Sequence, residues 1–130
     1  MIKATVAAGY PKAFLDFAVS RGADRRALLR RARLNADDLK EQDGRVPLAN
    51  YLELMKAGIE LMNEPALALL FGEAVRMQDI TIVGLVGEAA QTTEEARRQI
   101  NRYSRLILDE GDNRISEHLE LVRERGHVWL

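Results

Sequence analysis

Between Leu48 and Met62 the chain places Leu48, Tyr51, Leu52, Met55, Ile59 and Met62 at a spacing that lines them up in one stripe of an α-helix. Leu54 and Leu61 fall on the far side of that stripe. A helix with two separated apolar faces needs cover from two directions, so the rest of the chain is expected to pack around it as a helical layer. Pro47 supports this start, because a proline forces the preceding Val46 into extended backbone and the helix can begin only beyond it.

On either side the same period recurs in shorter runs. Pro11 suits a first helical turn, and Phe14, Leu15 and Ala18 then share a face until Arg21-Gly22 ends the helix. Asp24 can cap a second helix running to about Arg33, with Leu28, Leu29 and Ala32 turned inward and arginines opposite. Asn35 can cap a short turn carrying Leu39, and Gln42-Asp43-Gly44 reads as a loop. After Pro65 a helix to about Arg76 offers Leu67, Leu70, Phe71 and Ala74 to a core, with Gly72 allowing a close neighbour. The stretch Ile80 to Ala90 is apolar nearly all round, so it is expected to be helical and buried; its Gly84 and Gly87 suit close helix packing. Thr92 with Glu95 forms a capping box for a last helix bearing Ala96, Ile100, Tyr103 and Ile107, with Glu94 and Arg98 placed to pair on its surface.

Beyond the acidic loop Asp109 to Asn113 the period changes to two. Leu119 and Leu121 alternate with polar neighbours, a turn follows at Glu124-Arg125-Gly126, and the chain ends on His127-Val128-Trp129-Leu130. An apolar strand end leaves backbone groups and a tryptophan in need of partners, so the chain is expected to be the front part of something longer. The expected fold is mainly α, a packed helical layer with a short antiparallel β element at the C-terminus, becoming α+β once the missing region is included. Residues 1–130 form a single domain in this reading. Within it, residues 1–9 are a loose lead-in, 10–108 helical and 114–130 an incomplete β-hairpin.

The composition narrows function mainly by exclusion. Nineteen basic against twenty acidic side chains give a net charge of -1, which offers a phosphate backbone no overall counter-charge. The arginines between Arg25 and Arg33 could track phosphates, but Asp37, Asp38 and Glu41 follow closely and a solvated helix face explains them. The chain has no cysteine, which removes disulfides, thiolate metal sites and a cysteine nucleophile. A cytoplasmic setting is the default expectation. No stretch is apolar enough for a membrane span or a secretory signal.

No catalytic constellation stands out. His118 and His127 lack a third ligand at metal-binding spacing, and Glu53, Glu60, Glu64 and Glu73 show no pattern that opposes them across a cleft. Gly84-x-x-Gly87 lacks the further residues of a phosphate-binding loop. No metal and no cofactor are expected. For ligand contact the residues to watch are Tyr51, Met55 and Tyr103, with Met62, since thioethers and amphipathic rings suit a mostly apolar pocket; core packing is the favoured account, because their stripe positions explain them without any ligand.

Several blocks in order then resemble the N-terminal effector-binding, arabinose-binding-like domain of AraC-type transcription regulators. These are Ala27-Leu28-Leu29-Arg30-Arg31-Ala32 with Leu34, Arg45-Val46-Pro47-Leu48 with Tyr51, and Leu69-Leu70-Phe71-Gly72-Glu73. Leu85-Val86-Gly87, then Thr93, Glu95 and Ala96, then Arg102-Tyr103 continue the match, which covers most of the chain from about Arg25. The Arg-Val-Pro-Leu stretch is the most telling. Two positions depart from the pattern: Arg33 stands where glycine is usual, and Gln91-Thr92 replaces a Ser-Pro-like turn. The resemblance implies a non-enzymatic domain that senses a small-molecule effector or mediates homodimerisation, with DNA bound only through a C-terminal helix-turn-helix part absent here. The alternative is a ligand-independent dimerisation module.

Overall fold

The computed structural model describes residues 3–109 and 122–129. Among them are seven α-helices and a small antiparallel sheet, with a separate two-stranded hairpin following. The fold is mainly α with short β elements, as the sequence implied.

The sheet is where the structure departs most from the sequence reading. Strand β1, Thr5–Ala7, is its central strand, flanked by β2, Arg45–Pro47, and β3, Leu108–Asp109, both antiparallel to it. Val6 pairs with Val46 on one side and Leu108 on the other, and Val6, Ala7 and Ala8 are buried. The expected loose lead-in is thus a core strand over residues 5–7. A three-residue strand is too short to show alternation, and its partners lie far away in sequence, so nothing local could reveal it.

Helix α1, Gly9–Ser20, follows at once. It starts two residues before Pro11, and Phe14, Leu15 and Ala18 are its buried stripe. Helix α2, Arg25–Ala32, is capped by the Asp24 carboxylate, which accepts from the backbone N–H of Arg26 and Ala27. A 3-10 turn, Ala36–Leu39, has Asn35 and Asp38 as a reciprocal capping box and buries Leu39. The long helix α3 spans Leu48–Met62, as its period predicted. Its buried face is different: Tyr51, Leu54, Ala57 and Gly58 are inside, whereas Leu52 is 55% exposed and Leu61 48%. Leu54, assigned to the far side, is in the middle of the contact. Shape decides this, because Gly58 lets the Phe14 ring and Leu67 approach so closely that an added Cβ would lie 3.0 Å from each.

Helix α4, Leu67–Ala74, buries Leu67 and Phe71, and Phe71 meets Phe14 edge-on at 5.4 Å between centroids. Ala74 is exposed, and an added Cβ at Gly72 would meet nothing, so that glycine admits no close neighbour. The apolar stretch after it divides into α5, Met77–Ile80, and α6, Ile82–Glu88. Thr81 breaks it, its hydroxyl accepting from Val83 N–H at the start of α6. Ile80, Val83 and Gly84 are buried, but Ile82 and Leu85 face solvent, against the expectation that the whole stretch would be buried. Helix α7, Thr93–Ile107, is capped by Thr92 as expected. Glu94 pairs with Arg97 rather than with Arg98.

In the hairpin, β4, Val122–Glu124, pairs with β5, His127–Trp129, around Arg125 and Gly126, both at positive φ as a two-residue turn of this hand requires. The expected alternation at Leu119 and Leu121 lies outside the described residues.

Candidate functional site

Helices α6 and α7 enclose an open groove of about 470 Å³. Glycines set how closely α6 packs on its neighbours. An added Cβ at Gly84 would lie 2.1 Å from the Met77 carbonyl oxygen, so α6 rests directly on α5 backbone, and Gly87 admits the Ile100 side chain of α7 at 3.1 Å. The close packing expected of Gly84 and Gly87 is what the structure shows. Between the two helices the groove is lined by Ile82, Val83, Val86, Ala89 and Ala90 on one side and by Glu95, Gln99, Tyr103 and Leu106 on the other.

The spacing on α7 explains why those residues share an edge. Positions 95, 99, 103 and 106 recur at three or four residues and so stand one above another along the helix. Ala96, Ile100, Ser104 and Ile107 lie next to them around the helix, and Ser104 is buried with its hydroxyl donating to the Asn101 carbonyl. The groove therefore has an apolar α6 wall and an α7 edge of a carboxylate, an amide and a phenol.

Glu95 is held in place. Its backbone N–H donates to Thr92 Oγ1 at 3.1 Å, and its Oε2 accepts from the Gln91 N–H at 3.2 Å. The reciprocal bond of the capping box thus lands one residue before the cap. Tyr103 is 37% exposed, with the Arg102 guanidinium 5.4 Å from its ring centroid.

At its other end α7 is tied to the sheet by Arg45. The guanidinium donates from Nε to Thr5 Oγ1 at 3.1 Å, from one terminal nitrogen to the Thr5 carbonyl at 3.0 Å, and from the other to the Leu106 carbonyl. Burial draws its pKa down, partly offset by the nearby Asp109 and Asp43. A cation on the last carbonyls of a helix also complements its dipole. The Arg45-Val46-Pro47-Leu48 block acquires a physical meaning here. Arg45 clamps α7, Val46 pairs with Val6, Pro47 precedes α3, and Leu48 N–H donates to the Ala4 carbonyl at 3.0 Å.

The sequence-derived trio is not gathered around this groove. Tyr103 lines it, whereas Tyr51 is buried in the core and Met55 packs against that core, one turn along α3, and no α3 residue lines the groove. Burial pushes the Tyr51 phenol up to about 12, and burial together with the neighbouring Tyr51 does the same to Tyr10. Tyr10 in turn donates to the Met77 sulfur at 3.3 Å. Glu95 and Gln99 were not singled out by the sequence reading. The signal for them was the four-residue step to Tyr103, hidden because Glu95 already had a role in the cap.

On α2, Arg25 pairs with Asp16 at 2.8 Å and Arg31 pairs with Glu60 of α3, so part of the arginine run ties helices together. Among the described residues, no three or more His, Cys, Asp or Glu side chains form a group that could hold a metal ion. Among the same residues no helix is long and apolar enough to cross a membrane.

An apolar groove edged by a few polar groups is the kind of surface that small ligands occupy. Residues 22–130 match the family described as the arabinose-binding domain of AraC transcription regulator, N-terminal, and the chain belongs to that family. It is also 26% identical over 125 residues to the ornithine utilization regulator of Pseudomonas aeruginosa, a match that covers 96% of this chain. The chain spans about a third of that relative's length, 35%. No solved structure gives a significant match.

Proposed function

We propose that this chain is the effector-sensing, non-catalytic part of an AraC-type transcription regulator, and that the α6/α7 groove is where the small molecule binds. The observation that carries the reading is the groove itself. Its volume of about 470 Å³ lies in the range that holds small ligands, and its wall is apolar with a few polar groups on one edge. Of the three residues singled out in the sequence, Tyr103 contacts the ligand, while Tyr51 and Met55 support the core behind it. DNA is bound by a part of the regulator outside this chain, and the bound form is a homodimer. Effector binding acts by favouring one packing of α7 over another, which requires that the ligand bind the two arrangements with different affinity. The relative's role in ornithine utilisation supports a small metabolite as the signal.

A thermal-shift screen of small metabolites tests this, because a ligand that binds only the folded state raises the melting temperature by mass action. At least one compound should stabilise the chain, and Val86→Trp, which fills the groove, should abolish that shift. Stabilisation that survives Val86→Trp would place the effector elsewhere. No stabilisation by any compound would favour a ligand-independent dimerisation module.

A further inference from the structure

We infer that the ligand of the α6/α7 groove is a positively charged amine with an apolar body, its ammonium group held by Glu95. This rests on the reading of the groove as an effector site and names the chemistry it selects. Three observations converge on it. Among the described residues, the side chains lining the groove include one carboxylate and no lysine, arginine or histidine, and the Arg102 guanidinium lies over the Tyr103 ring, away from Glu95, so an anionic head group at Glu95 would meet a like charge. The Glu95 carboxylate is anchored, with Oε2 accepting from the Gln91 N–H while Oε1 has no hydrogen-bond partner among the described residues. Ala89 and Ala90 line the same groove, and their small side chains leave room for a head group.

The remainder of the groove fits the other half of such a molecule. Val86 and Ile82 supply an apolar wall, and Tyr103 lies two helical turns from Glu95, about 12 Å along the axis. A cation at Glu95 therefore has its apolar portion laid along α6, with the Tyr103 ring at the far end. An ammonium to carboxylate bond in a partly desolvated groove is stronger than a neutral hydrogen bond, so charge is the discriminating feature.

Calorimetric titration of the purified chain with phenethylamine, 2-phenylethanol and 3-phenylpropionate compares a cation, a neutral molecule and an anion of similar shape. The amine should bind at least about tenfold more tightly than the carboxylate, the worth of one charge-assisted hydrogen bond. Glu95→Gln should erase that preference without lowering the melting temperature, since glutamine also serves in a capping box. Val86→Trp should abolish binding of all three. Equal or tighter binding of the carboxylate overturns the amine assignment, and an amine preference that persists in Glu95→Gln overturns Glu95 as its holder; sensitivity to Val86→Trp would in either case still support the groove as the binding site. Binding of none of the three, or binding indifferent to Val86→Trp, overturns both.

Discussion

Arg33 sits at φ 55°, in the left-handed region, as the residue that ends α2, and its backbone N–H closes the turn on the Arg30 carbonyl at 3.2 Å. A side chain in this conformation is strained where glycine is not, which is why glycine dominates such helix ends. Arg33→Gly should therefore stabilise the chain by about 0.5–1 kcal/mol in urea denaturation, the left-handed penalty of about 1–2 kcal/mol less the extra chain entropy that glycine loses on folding; an unchanged or lower midpoint would mean that the arginine makes compensating contacts. A buried phenol, Tyr51, and a half-buried one, Tyr10, lead to a prediction about pH. Tyr10 and Tyr51 have pKa values near 12 in the folded chain, above the ordinary 10.0, because burial disfavours the phenolate. The folded state thus holds their protons more tightly than the unfolded state does. The associated stability is fully present below pH 10 and is lost as pH rises through 12. Ultraviolet titration should find both phenols ionising above the ordinary tyrosine range, with unfolding beginning in the same window. Ionisation of both at the ordinary pH in a still folded chain would contradict their burial.

Helix α3 shows what periodicity can and cannot tell at the scale of an element. Its limits, Leu48 and Met62, follow from Pro47 before it and from Asn63, at φ 50°, after it. Its orientation does not follow, because Leu, Tyr and Met populate so much of its circumference that several faces are apolar enough to be buried. Close packing at Gly58 selects the face with Tyr51 and Leu54, leaving Leu52 outside. Leu54→Ala should accordingly cost about 2–5 kcal/mol, the penalty for emptying a packed site. Leu52→Ala should cost less than about 0.5 kcal/mol, as at other exposed positions. Chemical denaturation of the two variants decides between the faces, and the reverse ranking would refute the packing described.

Across the whole molecule, Arg45 joins parts distant in sequence: β1 through Thr5, β2 on which it lies, and the end of α7 through the Leu106 carbonyl. Leu106 also lines the groove, and β3 follows α7 directly, pairing with β1. A ligand that shifts α7 would act on the sheet through these two connections. Lysine cannot reproduce a fork of three hydrogen bonds. Arg45→Lys should cost about 1–3 kcal/mol and speed hydrogen exchange in the last turn of α7, with little change at α2. Unaltered exchange there would show that β3 alone holds the helix.

Much of the local structure was legible in the chain. Asp24, Asn35 and Thr92 cap the elements they were expected to cap, because a cap depends only on residues within one turn. Gly84 and Gly87 announced a close helix contact for a similar reason: few other uses suit two small residues on an apolar helix. What the tertiary structure alone decided involves partners far apart. The sheet joins residues near 5, 46 and 108, and strands of two or three residues carry no period of their own. The exposed edge of α6 and the line of Glu95, Gln99 and Tyr103 form a groove only because α6 and α7 pack side by side, in contact at Gly87. Sequence determined which residues could begin, end and line each element; packing between elements determined which of their faces were left open to bind.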